Sequence, residues 1–322
     1  MLPTGRELHR LAVESGFAVA AVEKVIRLAE MLSGVGELED LARALALKGG
    51  TALNLFLGPP SRLSVDLDFN FVGAEGRDEM LAARPAVEHR LQALARSQGF
   101  GVQLSAESHG GRKLFLTYAR LADGQPDRIE IDVNYLHRVC LLPSERRRMW
   151  RPDGEGPWMT LMSWPEIAAG KLVAFLDRAA PRDAWDVPRL VSLAPQPWPP
   201  PDLRGLFIFL AGTLPRPLHD YGRQSLDRIR DADVSRLLWP MLIGGERPSA
   251  ASLREESWSV LAPLLDLSPA EIEFCDRLQA GELRPELLTF DDPEILDRLR
   301  RHPALLWKAE NARMHSRRGR RK

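Results

Sequence analysis

The feature that most constrains this chain is a short alternating segment, residues 65–70 (VDLDFN), that follows a glycine-rich turn. Successive side chains of a β-strand point to opposite faces, so this period of two predicts a strand with one apolar face in the core. Asp66 and Asp68 then share the other face, about 7 Å apart along the strand. Two carboxylates at that spacing suit one hard divalent cation between them.

The turn before this strand is Lys48-Gly49-Gly50-Thr51, and an apolar, helix-like segment follows it at residues 52–57. Adjacent glycines let the backbone approach a ligand closely, and Thr51 is predicted to be the N-cap of the helix. Free N–H groups at a helix N-terminus bind phosphate oxygens. Each motif alone is also typical of an ordinary turn or a solvated edge strand. In this order, however, they are what nucleotidyl transfer requires.

A second acidic strand is predicted at residues 128–135 (RIEIDVNY). Its isoleucines and valine form one face, and Glu130, Asp132 and Asn134 form the other. Glu130 and Asp132 therefore share a face, and the plain interpretation of this pattern is that both are solvated strand residues.

A helix is predicted to open at Trp164-Pro165-Glu166, since proline is favoured in a first helical turn. Lys171 lies in it among small and apolar residues, which is a poor place for a charge that is merely solvated. The alternative interpretation is a surface lysine whose ammonium snorkels to the solvent. Further on, Asp183 and Asp186 are three residues apart and would share a helical face. Either aspartate would also serve as an ion-pair partner for a nearby arginine, Arg178 or Arg182.

These motifs together resemble the AbiEii/AbiGii toxin-type nucleotidyltransferases, within the DNA polymerase beta-like nucleotidyltransferase superfamily. The resemblance rests on residues 47–53 (LKGGTAL), 62–69 (RLSVDLDF), 131–134 and the block from Lys171 to Val187, and it covers roughly residues 19–187. The interval from Gly50 to Asp66 is slightly longer than is usual in the superfamily. The extra length falls in the turn-forming cluster at residues 58–61, where an insertion does little harm.

The resemblance implies a set of site residues. The expected metal ligands are Asp66, Asp68 and Asp132, with Glu130 as the competitor for the third position, and they would hold two Mg²⁺ ions, or Mn²⁺. The expected nucleotide-binding residues are Lys48, Gly49, Gly50, Thr51, Ser64 and Lys171. Ser64 would contact a phosphate or become a modified acceptor itself. Lys171 would contact nucleotide phosphates, while Asp183 and Asp186 would help to order the active site.

The expected fold class is α+β, with a nucleotidyltransferase-type mixed β-sheet flanked by helices and a helical C-terminal domain. The expected catalytic domain spans residues 1–190, a proline-rich linker follows at residues 194–201, and a helical accessory domain spans residues 203–312. Residues 4–46 are expected to be helical with a break at residues 34–36. Another helix is expected at residues 80–98, with a start delayed by Pro85. The basic tail, residues 313–322, is expected to be disordered, and either solvated or in contact with RNA.

Composition excludes several classes of protein. The chain has 44 Lys and Arg against 44 Asp and Glu, so no global field draws it to nucleic acid or membranes. Its two cysteines, Cys140 and Cys275, are too few for a disulfide framework or a cysteine zinc site. We find no signal-peptide core and no apolar run that would span a membrane, and therefore expect a cytoplasmic protein.

The expected function is transfer of a nucleoside monophosphate from an NTP to an RNA acceptor, such as a tRNA 3′ end. By resemblance, the chain would be the toxin of an AbiE-like toxin–antitoxin system with a cognate antitoxin. One alternative is a nucleotidyltransferase that acts on a small molecule or a protein. The other is an inactive relative that binds a nucleotide or a partner.

Overall fold

The structure is a computed structural model that describes residues 2–290 and 292–319, with side chains through residue 315. Its contacts divide the chain into two compact units. The first combines residues 1–162 with residues 238–247, and the second combines residues 163–237 with residues 248–322. The predicted proline-rich linker lies inside the second unit, and the catalytic and accessory domain boundaries remain a prediction.

A seven-stranded mixed sheet forms the centre of the first unit, in the order β3-β4-β5-β2-β1-β7-β6. β2 runs parallel to β5 and β1 runs parallel to β7, whereas the other neighbours are antiparallel. The expected mixed sheet is thereby confirmed. The strands are β1 Leu45–Lys48, β2 Asp66–Phe71, β3 Gly101–Leu104, β4 Gly111–Ala119, β5 Pro126–Asn134, β6 Glu145–Arg151 and β7 Gly154–Leu161.

Five helices belong to the same unit: α1 Gly5–Ser15, α2 Val19–Glu37, α3 Glu39–Ala44, α4 Gly49–Phe56 and α5 Arg77–Ser97. The apolar side of α2, which includes Val25, Ile26 and Leu32, is fully buried, as its spacing of three and four predicts. These helices flank the sheet, and α4 connects β1 to the segment before β2, which places its first turn beside the acidic strand.

Three expectations for this region are wrong. α2 continues through residues 34–36 instead of breaking there, because those glycines serve close packing. A Cβ added to Gly34 would lie 2.5 Å from Leu94 Cδ1, and one on Gly36 would lie 3.2 Å from the Trp158 carbonyl oxygen. α5 begins at Arg77 and contains Pro85 in its interior. Leu45 begins a buried strand rather than ending a helix.

The second unit is helical, as expected. Its helices are α6 Trp164–Arg178, α7 Pro181–Leu193, α8 Pro201–Ala211, α9 Asp231–Leu237, α10 Ala250–Leu265, α11 Pro269–Gln279, α12 Pro293–Arg300 and α13 Pro303–Gly319. Ser163 caps α6 by accepting from the Glu166 N–H. Residues 226–238 do not form one continuous helix, since a 3₁₀ turn at Arg223–Arg228 ends at Ile229, which is extended and buried, and α9 begins at Asp231.

The C-terminal helix corrects the expectation of a disordered tail from residue 313. α13 continues to Gly319, and Arg313 Nε donates to the Gly281 carbonyl oxygen at 2.6 Å. Residues 320–322 of the predicted tail lie outside the described residues. Among the helices that the structure describes, none is both long and apolar enough to cross a membrane.

Candidate active site

The pairing of β2 with β5 brings the two predicted acidic strands side by side. Their parallel register sets Asp66 beside Glu130 and Asp68 beside Asp132. The intervening residues of both strands are fully buried, so these four carboxylates occupy the opposite face of the sheet. Asp66, Asp68 and Asp132 are each half-buried. The predicted third carboxylate therefore neighbours the predicted pair.

Two lysines enter this face from the strands on either side. Lys48 ends β1 and pairs in register with Asp68, while Lys113 on β4 pairs with Asp132. Burial lowers the pKa of Lys48, although the negative charges of Asp68 and Asp132 oppose the shift. Lys113 Nζ forms an ion pair with Glu130 and lies 3.3 Å from Asp132 Oδ2.

Lys113 was not identified from the sequence. Its strand alternates, with Leu114 and Leu116 fully buried, and this signal alone assigns Lys113 to the polar face. The alternation does not predict that Lys113 lies beside Asp132, because that depends on the register between two paired strands.

The glycine turn packs directly against this acidic face. Gly49 has φ +71°, in the left-handed region, and a Cβ placed on it would lie 2.2 Å from Asp68 Oδ2. A Cβ on Gly50 would lie 2.9 Å from Ser64 Oγ and 3.1 Å from an Arg62 guanidinium nitrogen. The two glycines thus keep backbone close to a carboxylate, a hydroxyl and a guanidinium.

The start of α4 differs from the expectation at Thr51. The helix begins at Gly49 with Lys48 in the N-cap position, so Thr51 lies within the first turn. Its side chain is buried, and its hydroxyl donates to the Asp66 carbonyl oxygen, tying the helix to β2. Thr51 is therefore not the N-cap, although its backbone N–H still belongs to the first turn of the helix, which begins at Gly49.

Arg62 and Ser64 adjoin the same turn, and both are buried. Arg62 Nη1 donates to the Leu63 carbonyl oxygen at 2.9 Å, which fixes the guanidinium next to Gly50. Arg62 belongs to the segment that carries the family resemblance, but it was not identified as a site residue. The turn thus has a buried positive charge beside it as well as the N–H groups of α4.

The residues of this face suit a divalent cation by their chemistry. Carboxylate oxygens are the ligands that Mg²⁺ and Mn²⁺ prefer, and Asp66, Asp68 and Asp132 supply them from adjacent strands. Within residues 2–290 and 292–319, no three His, Cys, Asp or Glu side chains are already gathered into a cation site. The Lys113 ammonium lies beside this face, 3.3 Å from Asp132 Oδ2.

The remaining predicted residues form a cluster of their own in the second unit. Lys171 Nζ lies 2.8 Å from Asp183 Oδ1 and 2.9 Å from Asp186 Oδ2, and Arg178 Nε donates to Asp183 Oδ2 at 2.6 Å. The Lys171 side chain is only 5% exposed, so the interpretation as a snorkelling lysine is wrong. The alternative ion pair between Arg178 and Asp183 is confirmed.

Charge balance in this cluster sets the ionisation of Asp183. Burial alone would raise the pKa of this carboxyl, but the neighbouring Lys171 and Arg178 outweigh it and hold the pKa well below its ordinary value. The structure thus gathers the predicted site residues into two sets, one in each unit.

Comparison with known proteins gives one match to a family model and similarities to solved structures. A family model described as "Nucleotidyl transferase AbiEii toxin, Type IV TA system" matches residues 32–243. The fold is similar to that of MenT4, the nucleotidyltransferase toxin Rv2826c from Mycobacterium tuberculosis H37Rv. That comparison has a TM-score of 0.62 and 21% identity, and it covers 92% of this chain and 98% of the other.

JHP933 from Helicobacter pylori is also similar, with a TM-score of 0.47 and 15% identity over 77% of this chain and 93% of the other. A comparison with curated proteins gave no match. The family match includes the glycine turn, both acidic strands and the Lys171 cluster. It begins later than the sequence resemblance, at residue 32 rather than about residue 19, and it continues beyond residue 187 to residue 243. On this match, the chain belongs to the AbiEii family of nucleotidyltransferase toxins of type IV toxin–antitoxin systems.

Proposed function

We propose that this nucleotidyltransferase transfers a nucleoside monophosphate from an NTP to an RNA acceptor, such as a tRNA 3′ end, and releases pyrophosphate. The observation that carries the proposal is the register of β2 with β5, which sets Asp68 beside Asp132 next to the glycine turn at Gly49. As the toxin of its system, the protein would act in the cytoplasm until a cognate antitoxin restrains it.

Asp66, Asp68 and Asp132 would hold the divalent cation, Mg²⁺ or Mn²⁺, with two Mg²⁺ ions as the family resemblance implies. Bound there, the cation supplies positive charge to the triphosphate and acidifies the attacking hydroxyl. Glu130 is the weaker candidate for the third ligand, because the Lys113 ammonium is paired with it directly. Lys113 approaches Asp132 less closely, at 3.3 Å, so Asp132 is the better candidate.

The helix start would bind the phosphates. The backbone N–H groups of Gly49, Gly50 and Thr51 point from the first turn of α4, where the helix dipole favours negative charge. Lys48 and Arg62 add positive charge beside the same turn, and Ser64 adds a hydroxyl. These donors are fixed before the nucleotide arrives, so little reorganisation is needed during transfer.

The Lys171 cluster retains the roles that the family resemblance implies. Asp183 and Asp186 would order the active site by holding Lys171, to which both are already paired. A phosphate contact by Lys171 requires that its ammonium exchange one aspartate for the phosphate. We therefore propose that Lys171 mainly holds α6 and α7 together through Asp183 and Asp186, and that phosphate binding is its secondary role.

The test is incubation with each α-labelled NTP, Mg²⁺ and total RNA, followed by a denaturing gel that resolves RNA from protein. We expect label on RNA with the wild type, and none with Asp66→Asn or Asp68→Asn, whose circular dichroism should be unchanged. Asp127→Asn is the matched control, since Asp127 is another half-buried aspartate of the same sheet, on β5, but pairs with Lys24 at 2.8 Å.

Each outcome decides between acceptors or sites. Full labelling by Asp68→Asn would show that the chemistry takes place elsewhere. Label that moves to a protein or a small molecule, with RNA unlabelled, would replace the RNA acceptor by one of the alternatives. No transfer to any acceptor with any NTP would favour a relative that only binds a nucleotide or a partner.

A further inference from the structure

A groove in the second unit lies between the end of α11 and the outer side of α13. Its volume is about 570 Å³, within the range of ligand sites in general. Its lining carries two amides, an indole, an ammonium and an imidazole: Gln279, Trp307, Lys308, Asn311, Ala312 and His315. None of these residues was identified as a site from the sequence.

Trp307 is a large aromatic residue that is not part of the core. Its side chain is 46% exposed, while Leu305 and Ala309 beside it on α13 are buried. Trp307, Asn311 and His315 follow one another at intervals of four residues, so they lie along one face of the helix. The result is a broad aromatic ring in line with an amide and an imidazole.

The helix that carries this face is fixed at two points. Lys308 Nζ donates to the Leu214 carbonyl oxygen at 2.8 Å, and Arg313 Nε donates to the Gly281 carbonyl oxygen at 2.6 Å. A Cβ on Gly281 would lie 2.4 Å from Arg313 Cγ, so the turn after α11 packs closely on α13. The groove is therefore formed before a ligand arrives, which lowers the entropy cost of binding.

The charge of this part of the chain is strongly one-sided. Residues 303–322 contain seven Lys and Arg against one Glu, in a chain whose total charge balances. His315 is also here, and its Nδ1 bonds to the Asn311 carbonyl oxygen at 2.8 Å, so a ligand would meet the ring through Nε2. A polyanion is the ligand that such a segment complements.

Resting on the proposed function, we propose that this groove binds a single-stranded segment of the RNA acceptor. A base stacks on Trp307, the amides of Gln279 and Asn311 hydrogen-bond to base edges, and the positive charge of residues 303–322 attracts the phosphates. Leu306 and Met314 are also exposed on α13, but the groove itself sets the indole among amide and imidazole groups, to which a membrane surface or the apolar face of a partner helix would offer no hydrogen bonds.

The test is fluorescence anisotropy with a fluorescein-labelled single-stranded RNA of about 12 nucleotides. The full chain is used without NTP, so that binding is measured apart from transfer. Base stacking on one aromatic ring predicts that Trp307→Ala raises the Kd by about 5- to 100-fold. Trp307→Phe keeps a ring and should retain most of the affinity. Trp158→Ala is the matched control, because Trp158 is 50% exposed but lies on β7 of the first unit.

A second variant lacks residues 317–322 and keeps the groove. Removing these five basic residues should flatten the dependence of log Kd on log salt, because fewer phosphate contacts release fewer counterions. Circular dichroism and thermal melting of each variant show that it is folded. Quenching of tryptophan fluorescence by RNA should be weaker in Trp307→Phe than in the wild type if a base stacks on the indole.

Wild-type affinity in folded Trp307→Ala would overturn the inference and leave the groove to a protein partner. An equal loss of affinity in Trp158→Ala would also overturn it, since the effect would not belong to the groove. These results are separate from the proposed function. RNA bound through Trp307 but never labelled refutes the RNA acceptor and keeps the groove, whereas RNA labelled normally by Trp307→Ala refutes the groove and keeps the acceptor.

Discussion

Replacing Lys171 by methionine is the sharpest test of the buried cluster on α6 and α7. The substitution keeps the length of the side chain and removes both ion pairs of the ammonium, at 2.8 Å to Asp183 and 2.9 Å to Asp186. Asp183 keeps its contact with Arg178, but the fully buried Asp186 loses its lysine. Removing the cation from a buried ion pair is strongly destabilising.

The magnitude follows from this geometry. Breaking one buried pair costs about 3–5 kcal/mol, and the remaining Arg178 contact places the expected loss in the free energy of unfolding near 3 kcal/mol at pH 7. Urea denaturation followed by circular dichroism measures it. Lys24→Met is the control, because the pair of Lys24 with Asp127 is about 18% exposed on each side, and its loss should cost below about 1 kcal/mol.

The pH dependence has a definite sign. The pKa of Asp183 is lower in the folded protein than in the unfolded chain, so its contribution is present above about pH 4 and is lost as the pH falls through the folded value. The penalty of Lys171→Met should therefore be full at pH 7 and should shrink below pH 4, as the Asp183 carboxyl accepts a proton and its attraction to the ammonium is lost. A loss below about 1 kcal/mol at pH 7, or a penalty that grows toward acid pH, would refute the reasoning.

Two further predictions concern the acidic face. Gly49→Ala should reduce nucleotide transfer on the order of 100-fold, because the added Cβ would displace the Asp68 carboxylate, and it should lower the free energy of unfolding by about 1–2 kcal/mol. Gly124→Ala is the control, since Gly124 has φ +69° but no atom within 4 Å of the added Cβ. Equal losses of transfer in the two variants would show that the contact with Asp68 is not the cause. Lys113→Met should bind Mn²⁺ about fivefold more tightly in calorimetry without NTP, because a positive charge 3.3 Å from Asp132 is removed, and weaker binding would instead show that Lys113 organises the carboxylates.

Much of the site was predictable from local patterns. The alternation of residues 65–70 and 128–135 identifies two strands and the faces of Asp66, Asp68 and Asp132, because side-chain direction in a strand is a local property. The proline at residue 165 and the serine before it mark the start of α6 for the same reason. The fold class also follows from these elements together with the family resemblance.

What the sequence left undetermined depends on contacts between distant segments. Lys113 meets Glu130 across a strand pair, and the burial of Lys171 depends on α7 packing against α6. Residues 34–36 resemble a helix break because glycine is a poor helix former, but close packing against Leu94 accounts for Gly34, and close packing against the Trp158 carbonyl accounts for Gly36. The hairpin of β6 with β7 was not identified, since its three consecutive exposed arginines conceal the alternation.

The first unit is built from two separate segments of the chain, and this affects the order in which the unit is completed during translation. Residues 238–247 return to it after seventy-five residues that belong to the second unit, and the family match ends within this returning segment. There the Met241 carbonyl accepts from the Leu63 N–H at 2.8 Å, and the Gly244 N–H donates to the Gly16 carbonyl at 3.0 Å. On the ribosome, the sheet that carries the carboxylates emerges early, yet the unit lacks these bonds until Arg247 has been synthesised. The first unit of this nucleotidyltransferase is thus assembled in full only after residues 163–237 of the second unit have been synthesised.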